Sequence, residues 1–319
     1  GQIESTNPCG EQPLLPYESC NLGSINLSKF VTEGKPDWEK LKKIVRSSVR
    51  FLDNVIDANI YPIQQIDKMT KDNRKIGLGV MGFAEMLVQL GIPYNSNEGL
   101  KTAEQVMKFV SEEGRKISEE LGKEKGSFVN FQGSALEKKY DAMRNATVTT
   151  IAPAGTISVI SNCSSGIEPL FAVAYVRDVS ESIGMKLVEI NSMFETAAIK
   201  EGFYNDDLIK NIAGRTSIQE LKDIPDSVKK VFVTAHDISA EWHVKMQAAF
   251  QKYVDNAVSK TLNFPNIATP NDIEKVYMLA YKLGCKGITV YRSGSRDVEI
   301  LKPIGGDQTI DASCEDCNL

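Results

Sequence analysis

The stretch Ala257-Val258-Ser259-Lys260-Thr261-Leu262-Asn263-Phe264, with residues 270–283 and Gly287-Ile288-Thr289-Val290-Tyr291 behind it, decides the fold class. The first run has the apolar and β-branched composition of a strand. Residues 270–283 carry a helical pattern with Pro270 in the first turn, and Gly284 stops it. Residues 287–291 read as a strand again. Strand, helix and strand at this spacing predict a βαβ unit, whose two strands must lie parallel. The class is α/β.

Working outward, residues 37–60 predict a helix. Asp37 can cap it, and Trp38, Leu41, Val45, Val49, Leu52, Val55 and Ile56 fall on one stripe with Ile44 at its edge. A second helix follows Asn97, with Ala103, Val106, Val110, Ile117 and Leu121 inward and Gly122 as its stop. The β-branched run at 147–152 predicts a strand, and 183–198 and 239–254 predict helices. At roughly 150 residues per domain, 319 residues suit two domains or one α/β barrel. Hydrophobic residues make up 42% and charged residues 25%, which excludes disorder, collagen and a coiled coil. No apolar run approaches the roughly 18 to 20 residues of a membrane span. Residues 1–5 have neither the basic nor the apolar region of a signal peptide, and the missing initiator Met suggests a processed product or a fragment. The net charge of −5 and the lack of a basic block argue against nucleic-acid binding.

Six cysteines are too few for a disulfide scaffold, and the lack of a secretion signal points to a reducing compartment. With only His236 and His243, and one C-x-x-C, a structural zinc framework is not expected. Cys163 and Cys285 have a plain reading as small buried hydrophobes, preferred for Cys285. The sharpest constellation is Asn7-Pro8-Cys9-Gly10-Glu11. In an extended segment, alternate residues project to one side; with Pro8 restricting one φ and Gly10 permitting a tight turn, a loop tip would present amide, thiol and carboxylate together. No cation flanks Cys9, and Glu11 opposes thiolate formation. The thiol is a poor nucleophile, better suited to giving up a hydrogen atom. The plain alternative is a surface turn. Cys20 lies eleven residues on and offers a second thiol. Residues 151–158, Ile-Ala-Pro-Ala-Gly-Thr-Ile-Ser, follow a strand and open into a helix with small residues and hydroxyls, which suits a phosphate or an ordinary turn. The G-x-G-x-x-G match at 77–82 follows no convincing strand; its glycines read as close backbone packing, not dinucleotide binding. Cys314-Glu315-Asp316-Cys317 could exchange thiols with another site or form half a metal site.

Together these motifs resemble ribonucleotide reductase. Residues 7–11 resemble its finger loop, and Cys20 stands where its reducing cysteine does. Arg74-Lys75-Ile76-Gly77-Leu78-Gly79-Val80 resembles a barrel motif of the family. Residues 150–158, Asn162-Cys163-Ser164-Ser165-Gly166-Ile167-Glu168-Pro169, Lys260-Thr261-Leu262-Asn263 and Lys286-Gly287-Ile288-Thr289-Val290-Tyr291-Arg292 continue the likeness, the first two toward the class II branch. The two adjacent tyrosines of class I read Val290-Tyr291 here, and the four-cysteine zinc site of class III is reduced to Cys314 and Cys317. The Asp-x-His-x-x-Gly motif of some cobalamin proteins is absent, and class II reductases do not need it.

The resemblance implies the C-terminal half of a ten-stranded α/β barrel with a central finger loop over residues 1–304, and a flexible redox tail over 305–319. It implies adenosylcobalamin as cofactor, with Cys9 relaying a radical to the ribose, Glu11 as base at the 3′ hydroxyl and Asn7 holding the ribose. Cys20 and a cysteine outside the chain supply electrons, and Cys314 and Cys317 reduce the resulting disulfide. Pro153, Ala154, Gly155, Thr156 and Ile157 hold the substrate phosphates, with Pro8 and Gly10 lining the same site. The implied partners are a ribonucleoside di- or triphosphate, a thioredoxin-like reductant and a companion chain carrying the N-terminal half, with a homodimer also open. The implied location is cytoplasmic. The alternative is a non-catalytic scaffold subunit with a redox-sensing or zinc-binding thiol pair.

Overall fold

A computed structural model describes residues 1–179, 185–213 and 215–295. The predicted domain boundary at 304/305 and both tail cysteines lie outside the described residues. Two-residue strands β1 (Ser5–Thr6) and β2 (Pro13–Leu14) pair antiparallel and close the 7–12 loop. β3 (Asn21–Asn26) follows, then the small hairpin β4 (Val31–Thr32) and β5 (Lys35–Pro36). β6 (Ile76–Met81) lies parallel to β3.

The predicted strand at 147–152 continues the same run as an extended segment bridged on both sides. Leu78 N donates to Val148 O at 2.7 Å, and Ser259 N donates to Ile151 O at 2.8 Å. The segment that carries Val258 runs on into β9 (Thr261–Phe264), and β9 pairs in parallel with β10 (Thr289–Arg292). The predicted βαβ unit is therefore present. Five parallel staves stand in the order β3, β6, 147–151, 257–264 and β10. Among the described residues the run is open, with β3 and β10 at its edges.

The glycines of β6 make this packing possible. A Cβ on Gly79 would sit 2.2 Å from the Thr150 carbonyl oxygen. The expectation of close backbone packing at 77–82 holds: most of the motif is itself a fully buried strand.

Helices cover the staves. α1 (Trp38–Ala58) starts where predicted, its cap Asp37 accepting from Lys40 N, with Leu41, Val45, Val49, Leu52 and Ile56 buried. α2 (Gln64–Asn73) and α3 (Phe83–Leu90) flank β6. α4 (Asn97–Lys125) corrects the expected stop at Gly122. That glycine lies inside the helix, where a Cβ would meet Met143 N at 2.8 Å, and the helix ends at Gly126 with φ +90°. α5 (Gly155–Ile160) opens directly after the third stave.

The helix expected at 183–198 is also corrected. β7 (Ala174–Val179) pairs antiparallel with β8 (Met185–Ile190), and only α6 (Ser192–Glu201) is helical. The six residues Met-Lys-Leu-Val-Glu-Ile at 185–190 are too few to fix a period, and strand pairing decides it. Asn191 then starts the helix by accepting from Met193 N and Phe194 N. α7 (Asp206–Ile212) and α8 (Asp226–Val231) build a second apolar cluster around Phe194 and Phe232. α9 (Ala240–Gln251) matches its prediction, and α10 (Pro270–Lys282) carries a Thr269–Asp272 capping box. The main core joins the staves to α1, α3, α4 and α9. Among the described residues no helix is long and apolar enough to cross a membrane.

Candidate active site

The 7–12 loop turns at Gly10, as the sequence allows, but its residues do not alternate as an extended segment would. Gly10 N donates to Asn7 O at 3.0 Å, and Gln12 N donates to Asn7 Oδ1 at 3.0 Å. Pro8 has a restricted φ, and Gly10 adopts φ +77°, so the chain folds back instead of alternating. Cys9 is exposed at the tip, while Glu11 is only 2% exposed. The three side chains predicted to project together therefore differ in burial.

The loop crosses one face of the stave run. Gln12 lies against β6, where a Cβ on Gly77 would meet its Nε2 at 2.9 Å. The Glu11 carbonyl accepts from Thr150 Oγ1 at 3.0 Å and from Ala257 N at 2.9 Å. Gly10 O lies 3.9 Å from where a Cβ on Gly287 would stand. Asn7 spends its side-chain oxygen inside the turn. Glu11 Oε2 and both amide atoms of Gln12 are buried without a partner. Buried polar atoms are normally bonded, so three orphans on adjacent residues mark a place where the protein alone does not complete the bonding.

Cys20 is half-buried, and burial pushes its thiol up to about 12; Lys75 opposes this, while Glu18 and Glu11 add to it. The thiol is neutral at physiological pH. Its link to Glu11 places both predicted groups in one electrostatic neighbourhood. Burial, with Glu85 adding, pushes Cys163 up to about 11, and burial alone does the same for Cys285. Both behave as inert thiols.

The third stave connects the loop to residues 153–157. Thr150 holds the Glu11 carbonyl, and three residues on the chain reaches Pro153 and the start of α5. Pro153, Gly155, Thr156 and Ile157 are exposed there, and Ala154 is buried. Ser158 Oγ donates back to Gly155 O at 2.8 Å, so that hydroxyl is taken.

Several bonded polar residues received no site role from the sequence, although Lys75, Glu168 and Lys260 stand within the quoted motifs. Lys260 is 1% exposed and bonds Glu168 Oε2 at 2.6 Å, while Glu168 Oε1 accepts from Thr261 N. Glu85 accepts from Ser164 N and Oγ, and its carboxyl is raised, mainly by burial. Gln12, Glu18 and Lys75 complete the set. Apart from Gln12, whose amide has no partner, these residues have their main partners far away in sequence, so no local spacing announced the pairings.

Comparison with known proteins agrees with this geometry. The model of the ribonucleotide reductase barrel domain matches residues 1–143 and 138–291. A vitamin B12-dependent ribonucleoside-diphosphate reductase of Thermoplasma acidophilum is 54% identical over 302 residues, covering 94% of this chain and 39% of that protein. The protein of the same name from Mycobacterium tuberculosis is 46% identical over 301 residues, covering 94% and 43% respectively. The chain thus spans about two fifths of the length of these relatives. Among solved structures, the Actinobacillus ureae class Id ribonucleotide reductase alpha subunit superposes with a TM-score of 0.76 at 24% identity. That match covers 92% of this chain and 54% of the other, a likeness of fold. With the family model matched along nearly all of its described length, the chain belongs to the ribonucleotide reductase barrel-domain family.

Proposed function

We propose that residues 1–304 form the C-terminal half of the catalytic barrel of a class II, vitamin B12-dependent ribonucleotide reductase, and that residues 305–319 carry its exchange thiols. The observation that carries this reading is the 7–12 loop. It crosses parallel staves with an exposed thiol at its tip and a buried, unpartnered carboxylate oxygen behind it. In this reading the five staves are half of a ten-stranded barrel, and the loop is its finger. The names of the two vitamin B12-dependent relatives favour a ribonucleoside diphosphate as substrate.

The residues at the tip fit adenosylcobalamin. Pro8 and Cys9 are exposed, and a Cβ on Gly10 would meet nothing within 4 Å, so a bulky group can approach the thiol. Pro8, Cys9 and Gly10 would face it. When bound, the cofactor supplies the one-electron chemistry that removes the Cys9 hydrogen atom. The Cys9 sulfur then takes the 3′ hydrogen of the ribose and later returns it. Glu11 Oε2 accepts the 3′ hydroxyl proton, as a buried and otherwise unbonded base should. The Asn7 amide nitrogen donates to the ribose. Residues 153–157 hold the phosphates with backbone N–H groups and the Thr156 hydroxyl. The C2′–OH bond becomes C2′–H, and the oxygen leaves as water. Cys20 and a cysteine outside this chain lose two hydrogens between them and join as a disulfide, which balances the step. Cys314 and Cys317 reduce that disulfide by exchange and are recharged by a thioredoxin-like protein. A companion chain with the N-terminal half completes the enzyme, as a homodimer of the assembled unit, in the cytoplasm.

The test is reconstitution. The chain is combined with the missing N-terminal segment, adenosylcobalamin, a ribonucleoside diphosphate and a small dithiol. Deoxyribonucleotide should form only with all components present, and no product from the complete mixture would sink the reading. Cys314→Ser with Cys317→Ser should stop turnover driven by thioredoxin and spare turnover driven by the dithiol. Stoichiometric zinc on that pair would instead support the scaffold alternative.

A further inference from the structure

Lys75 and Glu18 form a buried ion pair that the proposed reaction does not use. Lys75 Nζ lies 3.1 Å from Glu18 Oε2, with the two side chains 9% and 3% exposed. Each partner also grips the segment between the 7–12 loop and Cys20. Lys75 donates to Pro13 O at 2.9 Å. Glu18 Oε2 accepts from Leu15 N at 2.9 Å, and its Oε1 accepts from Asn73 Nδ2 at 2.6 Å. Glu18 stands two residues before Cys20, and Lys75 stands one before β6, the stave that Gln12 lies against.

The charged groups acting on the Cys20 thiol are Lys75, Glu18 and Glu11. α1 and α2 reach this segment through uncharged bonds, from Asn21 to the Leu52 carbonyl and between Ser19 and Thr70. Lys286 in turn acts on Lys75. Asn21 pairs with Ile76 in the parallel register of β3 and β6, so Cys20 and Lys75 stand at matching positions one residue before that pair, with the Lys75–Glu18 ion pair beside them.

We propose that Lys75 and Glu18 are positioning residues for Cys20, clamping its segment to β6 while their opposed charges set how readily the thiol yields its proton. The idea rests on the reductase reading, in which Cys20 must keep its proton at rest and release it as water departs. Burial and Glu18 favour the first state. Lys75 favours the second, because a cation stabilises the thiolate left behind. One pair with both signs keeps the thiol neutral yet able to ionise.

The experiment needs no turnover, so it fails or succeeds independently of the reductase reading. Alkylation of Cys20 by iodoacetamide is followed from pH 7 to 10 by peptide mass spectrometry on the full chain, with exposed Cys9 as internal control. Only the thiolate reacts, so a one-unit shift in acid strength changes the rate about tenfold at a fixed pH. Lys75→Gln should slow Cys20 by about that factor, Glu18→Gln should speed it similarly, and Lys75→Arg should restore the original profile. A purely structural clamp predicts that both neutral variants loosen the segment and both speed the reaction. Equal directions, reversed directions or no change would each overturn the proposal.

Discussion

Two buried polar regions of this molecule are built on opposite rules. Around Asp53, which is fully buried, every bond is made. Arg74 donates to both Asp53 and Asp57, Arg144 adds a bond to Asp53 Oδ2, and Asn145 bridges Asp53 and the Arg74 carbonyl. Ser118 on α4 closes the set through Asn145. In the 7–12 loop, by contrast, Glu11 and Gln12 are as deeply buried and keep three polar atoms without partners. The first region ties α1, α4 and the start of β6 together. The second is held by its backbone and leaves its side chains open. Saturation makes the first region a structural network, whereas three open polar atoms gathered on two adjacent buried residues make the second the candidate place for a ligand.

The contrast is broken most directly by mutation. Arg74→Met strips Asp53 of its main partner and should cost about 3–5 kcal/mol, since the fully buried carboxylate keeps only Arg144, Asn145 and the more distant Lys125. Glu11→Gln should cost no more than about 1 kcal/mol, because no protein bond to its carboxylate is lost, yet it should abolish reduction. Urea unfolding of both variants decides the point, and equal losses would erase the distinction. Gly79→Ala should lie between them at about 1–3 kcal/mol, since the new methyl meets the Thr150 carbonyl. A wild-type urea midpoint in that variant would show that the staves are looser than described.

A pH series sharpens the same picture away from the loop. His243 is fully buried, with Nε2 on the Ala235 carbonyl and Nδ1 unpartnered. Burial, with Lys260 adding, lowers it from 6.5 to about 3. Its folded form therefore binds a proton less readily than its unfolded form. Stability is complete above pH 6.5 and falls as pH drops toward 3, by about 1.4 kcal/mol per unit from this group. His243→Gln should flatten that part of the curve, measured by unfolding at each pH. The smallest effect is expected at Gln12→Met. Removing an amide with no partner should leave stability within about 1 kcal/mol of wild type, or raise it. A large loss there would mean that the amide is bonded after all.

What the sequence disclosed follows from how local each signal is. The βαβ unit was legible because Pro270, Gly284 and two β-branched runs act within a few residues of themselves. α1 was legible because its stripe repeats over six turns. Residues 185–190 were misread because six residues cannot separate a strand from a helix, and the decision came from β7. Gly122 was misread because a glycine looks the same whether it ends a helix or admits a neighbouring backbone. At the site, the Asn7, Cys9 and Glu11 pattern stood out by its chemistry, and the resemblance supplied their roles. The Lys75–Glu18 and Lys260–Glu168 pairs did not stand out. They join residues 57 and 92 positions apart, and a single charge in a sequence carries no sign of its partner. The turn was legible in Pro8 and Gly10, but the exposure of Cys9 and the burial of Glu11 were not, since alternation assumes an extended chain.

The central claim is that the thiol at the loop tip relays a hydrogen atom within a carboxylate-backed site. Its most direct measurement is deoxyribonucleotide formation by the reconstituted enzyme carrying Cys9→Ser, with binding of the ribonucleoside diphosphate followed in parallel. The hydroxyl is close in size to the thiol, but its O–H bond is too strong to serve as the relay. Product should fall to background while nucleotide binding stays within about twofold of wild type, since the replacement is nearly isosteric. Sustained product formation by the Cys9→Ser enzyme would contradict the account.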